Sequence, residues 1–225
     1  MTRFEPGTAS ALVAWGTLVG VDLVSFPQAL LSRPLVAGTG AGLLLGDPVA
    51  GMRIGLTLEL FALDVLPVGA SRYPDYGPAV IAAVVLASGR PWEVTLGVTT
   101  LFALCLAFIG GWSLLVLRRV TGRLIQQNLA GLAAGDTATI AHIQYRGLAA
   151  DVLRSFLLTA GGLLLAVLLR PALPGTERFT LVTAVAVGCA VAAAAAGAIR
   201  SAGGGARLRW LAVGAGLGLL MAALR

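Results

Sequence analysis

The chain has 225 residues, 58% of them hydrophobic and only 12% charged, and a mean hydropathy of +0.91. These values exclude an ordinary soluble domain and point to an all-α integral membrane protein. The net charge of +6 does not argue for nucleic acid, because the arginines fall at the ends of apolar runs, where topology signals belong.

The first predicted element is a helix over about residues 8–31. Arg3 before the apolar run from Ala9 to Val21 imitates a signal peptide, but Glu5 precedes the run and Asp22 stands where a small-residue cleavage site would be, so it reads as a retained helix. Asp22 and Gln28 close this run ahead of Ser32 and Arg33. They are either polar contacts to a cavity or a helix end in the headgroup region.

Residues 33–90 follow as a glycine- and proline-rich core. Pro34 to Gly46 and Tyr76 to Gly89 are each too short to span a bilayer, and apolar pieces of about 10 to 14 residues suit re-entrant or interfacial segments. Broken backbone at membrane depth must be buried in protein or line a cavity, as in transporters that bind substrate at discontinuous helices. Gly38, Gly42 and Gly46 recur every fourth residue, which predicts one smooth helix face for close packing. GTGAG is not a nucleotide-binding loop, since its spacing differs from G-x-G-x-x-G and no strand precedes it.

Carboxylates within this core demand an explanation, because one in hydrocarbon costs about 2.5 to 3.5 kcal/mol even on insertion scales. Glu59, in GLTLELFALD, is either a site residue or one half of an ion pair with Arg53 or Arg72; Asp64 carries the same two readings. Asp75 lies between Tyr73 and Tyr76 on backbone broken by Pro74 and Pro78. A carboxylate accepting hydroxyl hydrogen bonds beside flat, polar-tipped aromatic rings suits a sugar, and an interfacial turn with aromatic anchors is the alternative.

The remainder is predicted as a transmembrane helix over 93–117, a cytoplasmic connector over 118–150 and three transmembrane helices over 151–225, all within one domain, 1–225. The apolar runs show none of the alternation of barrel strands. Arg118, Arg119, Arg123 and Arg146 place the connector in the cytoplasm, as Arg200, Arg207 and Arg209 do for the last loop, so Arg170 and Arg178 face outward. Leu124, Leu129 and Leu132 predict an amphipathic helix in the connector. His142, the only histidine, has no partner base or motif and reads as solvated or helix-packed. Cys105 and Cys189 lie inside apolar runs without metal-ligand spacing and read as small core residues.

RPLVAGTGAGLLLGDPVAG, then GLTLELFALDVLPVGAS and PD, resembles the N-terminal half of enzyme IIC of the mannose, fructose and sorbose family of the bacterial phosphotransferase system. The resemblance is dense from Arg33 to Asp75, thinner through GDTATIAHIQYRGLAADVLR, and beyond that rests on hydropathy. It implies a multi-pass permease subunit of the bacterial inner membrane, without a cofactor, with an elevator-type core of re-entrant hairpins on a scaffold. It also implies a IID membrane partner, cytoplasmic IIA and IIB partners that carry out the phosphoryl transfer, and a homotrimer of IIC–IID units. By motif, Glu59 and Asp75 fall in the hexose-binding core, with Gln28, Tyr76 and Asp64 as further candidates. Pro67 stands where related sequences carry an asparagine, which leaves the sugar open among mannose, fructose, sorbose and N-acetylgalactosamine. Two other functions fit the same residues: a non-transporting anchor or sensor for phosphotransferase regulators, and a proton-coupled transporter.

Overall fold

The computed structural model describes residues 5–63, 73–173 and 178–202, with isolated positions at 209 and 213. Every regular element among them is helical: α1 (Pro6–Asp22), α2 (Pro34–Leu44), α3 (Pro48–Ala62), α4 (Tyr76–Ala87), α5 (Trp92–Gln127), α6 (Leu129–Ala133), α7 (Thr137–Leu169) and α8 (Arg178–Ala202), with a 3-10 turn at Arg170–Ala172. Asp64, Pro67, Arg72 and the expected last span lie outside the described residues.

The prolines that break the N-terminal half also start its helices. Pro6, Pro34 and Pro48 occupy first-turn positions in α1, α2 and α3, where a missing N–H costs nothing. Asp47 caps α3, its carboxylate accepting from the Ala50 N–H at 3.0 Å. Gly46 and Gly89 follow α2 and α4 with φ of +75° and +72°, the left-handed geometry that glycine allows after a helix. Gly46 therefore leaves the expected helix face and makes the turn; four-residue spacing cannot distinguish the two placements.

α2 and α3 form a helical hairpin closed backbone to backbone. A Cβ at Gly38 would sit 2.7 Å from the Gly51 carbonyl oxygen, and one at Gly55 2.6 Å from that of Pro34. Only glycines permit so close a crossing. The hairpin packs on α4, which also touches α1, α5 and α7. All twelve residues of α4 are buried, as its alanine- and valine-rich sequence, apolar on every side, requires.

Around this centre stand the long helices. Two helices among the described residues are long and apolar enough to cross a membrane, Thr95–Gln127 and Thr137–Ala172. α5 has 36 residues and so runs about 54 Å, against a hydrocarbon layer of roughly 30 Å. It continues well beyond Leu117, and α7 begins within the expected connector, at Thr137. Arginine is a good helix former, so Arg118 and Arg119 mark a polarity change without ending the helix. The amphipathic connector is thus the outer turns of α5 and α7, with α6 between them.

At the opposite end, Arg90 donates to the carbonyls of Arg170 (2.7 Å) and Leu173 (2.8 Å), while Arg170 donates to that of Ser88 (2.5 Å). This clasp ties the α4–α5 turn to the end of α7. Cys105 and Cys189 are exposed on α5 and α8, not packed in the core as expected; an apolar run in sequence does not distinguish a helix's buried face from its outer one. His142 is exposed.

Candidate functional site

The segment between α1 and α2 is organised by Asp22. Its carboxylate is 2% exposed and accepts from the Ala29 N–H at 2.6 Å and the Ser32 N–H at 2.9 Å, folding residues 23–33 into a loop around itself. Gln28 and Leu30 sit in this loop with φ of 57° and 63°. Side chains other than glycine seldom adopt that geometry unless the surroundings hold them there, and such positions cluster at ligand clamps and active sites.

The loop forms one wall of a cavity of about 330 Å³, lined by Asp22, Gln28, Ser32, Arg33, Tyr73 and Tyr76 among others. That volume lies at the small end of ligand pockets. Its lining offers an amide, a guanidinium, a hydroxyl, a carboxylate and two phenols on apolar walls, which can bind a neutral polyhydroxy ligand by many weak donors and acceptors. The Arg118 guanidinium lies 5.1 Å from the centre of the Tyr73 ring, a cation–π contact that puts this rim beside the arginine-bearing part of α5.

Behind the opposite wall lies a buried charge cluster. Arg154 of α7 donates from Nε to Asp151 Oδ1 at 2.8 Å, and from Nη1 to Asp75 Oδ2 at 2.8 Å and Ser113 Oγ at 3.2 Å. Its Nη2 donates to the Gly20 carbonyl and to Ser155 Oγ, both at 3.1 Å. Every N–H of the guanidinium thereby has a partner. Asp151 Oδ2 accepts from Ser25 Oγ at 2.5 Å. Asp75 Oδ1 is buried and has no hydrogen-bond partner.

Small residues make room for this cluster. A Cβ on Gly110 would lie 2.7 Å from that of Asp75, and one on Gly111 2.6 Å from the Tyr73 carbonyl oxygen. The Tyr73–Asp75 strand of chain therefore lies directly on α5, where the Asp75 N–H donates to the Ala107 carbonyl at 2.9 Å. Gly16 and Gly20 of α1 likewise face Thr159 and Ser155 of α7.

Of the residues expected at the site, Gln28 and Tyr76 share the cavity. Asp75 adjoins Tyr76 in sequence, but it is fully buried with its carboxylate on Arg154. Glu59 forms an ion pair with Arg33, not with Arg53, and its Oε2 accepts from the Leu35 N–H at 3.1 Å, so it holds a cavity residue. Asp64 lies outside the described residues. The sequence reading missed Arg33 and Tyr73 as cavity residues, and Asp151, Arg154 and Ser25 altogether. The available signals were the glycine pairs Gly16/Gly20 and Gly110/Gly111 in otherwise apolar helices, together with two opposite charges three residues apart at the head of an apolar run.

Residues 7–174 match the family described as the sorbose-specific IIC component of the PTS system. The sorbose-specific EIIC component of Klebsiella pneumoniae is 34% identical over 119 residues, a stretch that covers 51% of this chain and 43% of that protein. The chain thus matches less than half the length of this relative. Among solved structures, one described only as a membrane protein superposes with a TM-score of 0.79 at 22% identity, covering 99% of this chain and 96% of its own. A chain from the cryo-electron microscopy structure of the mannose transporter ManYZ with microcin E492 superposes with a TM-score of 0.61 at 21% identity, at the same coverage. At these identities the likeness is one of fold.

Proposed function

The chain belongs to the sorbose-type IIC family of the phosphotransferase system, and from that premise we propose that it is the hexose-translocating membrane subunit of a phosphoenolpyruvate-dependent uptake system. The observation that supports this most is the cavity beside Asp22, where Gln28, Arg33, Tyr73 and Tyr76 converge at the junction of discontinuous helices. In it, the Gln28 amide and Arg33 guanidinium hydrogen-bond sugar hydroxyls, and a tyrosine ring packs on the apolar face of the sugar. Glu59 and Asp75 act one step back: Glu59 aims Arg33, and Asp75 fixes the chain leading into Tyr76.

The arginine-rich ends of α5 and α7 face the cytoplasm of a bacterial cell with a multi-pass protein in its inner membrane. Because Arg118 lies 5.1 Å from the centre of the Tyr73 ring, the Tyr73 edge of the cavity lies, on this reading, nearer the cytoplasmic side. Transport requires a IID partner, in trimeric IIC–IID units, and phosphorylation of the sugar belongs to IIA and IIB. The relative's name supports a sugar of the sorbose type.

The test is reconstitution with the cognate IID, IIA and IIB and phosphoenolpyruvate, followed by uptake of labelled mannose, fructose, sorbose and N-acetylgalactosamine. Uptake of one of them, lost in Gln28→Ala and Tyr76→Ala variants that still assemble with IID, is the expected result. No uptake of any hexose by the wild-type complex would overturn the assignment.

A further inference from the structure

The two walls of the cavity come from segments far apart in the chain, and both are attached to the same guanidinium. On one side, Arg154 Nη1 holds Asp75, the residue before Tyr76 and two after Tyr73. On the other, Arg154 Nε holds Asp151, whose second oxygen takes the Ser25 hydroxyl, three residues before Gln28. Nη2 adds the Gly20 carbonyl at the end of α1, from which the Gln28 loop departs. Arg154 itself does not line the cavity.

We propose that Arg154 is a positioning residue for the hexose site, setting the distance between the Gln28 wall and the Tyr73–Tyr76 wall through Asp151–Ser25 and Asp75. This inference rests on the sugar reading given above. A guanidinium is suited to the task because its donors lie in one plane at fixed angles, so two carboxylates bound to it are fixed relative to each other. An ammonium would neutralise the same charges without fixing that angle. The Gln28 loop needs such a tether, since its backbone stands in a geometry that the free chain seldom visits.

Ser25 is the place to cut the chain of contacts without removing a buried charge. Hexose affinity is to be measured by calorimetry on the purified complex with the cognate IID, carrying wild-type, Ser25→Ala, Gln28→Ala or doubly substituted chain, using mannose, fructose, sorbose and N-acetylgalactosamine. In parallel, Gln28→Cys is labelled with a maleimide in a Cys105→Ala, Cys189→Ala background, with and without Ser25→Ala. Loss of the tether is expected to weaken hexose binding about tenfold, alongside the lowered thermal midpoint that removing a hydrogen bond from the buried Asp151 carboxylate brings. The double variant should bind no more weakly than Gln28→Ala alone, since both act on the same contact. Labelling should change several-fold, and Arg154→Lys should shift affinity in the same way as Ser25→Ala.

Additive losses in the double variant, or a labelling rate that Ser25→Ala leaves unmoved, would overturn the proposal. If wild type binds none of the four sugars, the hexose assignment falls by itself. The labelling arm then decides the tether: a several-fold change measured well below the thermal midpoints of both variants supports it, and an unchanged rate overturns it.

Discussion

Asp75 and Arg154 lie 79 residues apart in the chain, and their charged atoms meet at 2.8 Å in a fully buried ion pair. Asp151 makes the cluster two carboxylates to one guanidinium. Deleting Arg154 as Arg154→Met would leave both carboxylates uncompensated, a loss on the order of 3 to 5 kcal/mol. Asp75→Asn leaves Arg154 and Asp151 as a balanced pair and should cost clearly less. Thermal melts in detergent check the order; equal losses in the two variants would contradict this account of the cluster.

The α2–α3 hairpin yields a second expectation. A side chain at Gly51 would run into the Gly38 carbonyl, which is backbone and has no room to retreat. Gly51→Leu should therefore prevent the hairpin from closing, at more than the ~1 to 3 kcal/mol typical of overpacking. Size-exclusion profiles of the fluorescently tagged protein report it. A monodisperse peak at wild-type yield would show that the two helices can separate at little cost.

Glu59 separates stability from recognition. Its partner Arg33 is 40% exposed in its side chain, so the ion pair itself contributes only about 0 to 1 kcal/mol. Glu59→Gln keeps an acceptor for the Leu35 N–H while releasing Arg33 from its fixed direction. A nearly unchanged melting midpoint with hexose affinity weakened about tenfold, or ~1.4 kcal/mol, is expected from calorimetry. Unchanged affinity would mean that Arg33 does not bind sugar.

Asp136 supplies a pH dependence away from the membrane. The Thr139 hydroxyl (2.5 Å) and the Thr139 and Ala138 N–H groups (3.0 and 3.2 Å) hold its carboxyl below the ordinary aspartate value. A depressed native pKa contributes stability that is present above the unfolded-state pKa and is lost as pH falls through the folded one. Amide exchange over the first turn of α7, corrected for its intrinsic pH dependence, should thus accelerate below that range in wild type. In Asp136→Asn the acid step should vanish; its persistence would assign it to another group.

The short helices were legible because their punctuation is chemical. Pro34 cannot sit deep in a helix and Gly89 can turn where other residues cannot, so the ends of α2 and α4 fall near the expected breaks. The long helices were not, because Arg118 marks where lipid ends, whereas hydrogen bonding along α5 goes on to Gln127. The site divided along similar lines. Gln28 and Tyr76 could be picked out locally by the breaks around them. Arg154 could not, since its role depends on α1, α4 and α5 arriving at one point in space, and only the glycine pairs that admit them are written in the chain.

α4 has no surface of its own. Its twelve residues, about 18 Å of helix, are enclosed on every side by other helices, so no acyl chain touches the element that begins with Tyr76. α5 and α7 are long and apolar enough to cross a membrane, and a spanning helix must tilt or stretch as bilayer thickness changes. The segment that carries one wall of the cavity is shielded from that adjustment, and a membrane of different lipid composition reaches it only through its neighbours.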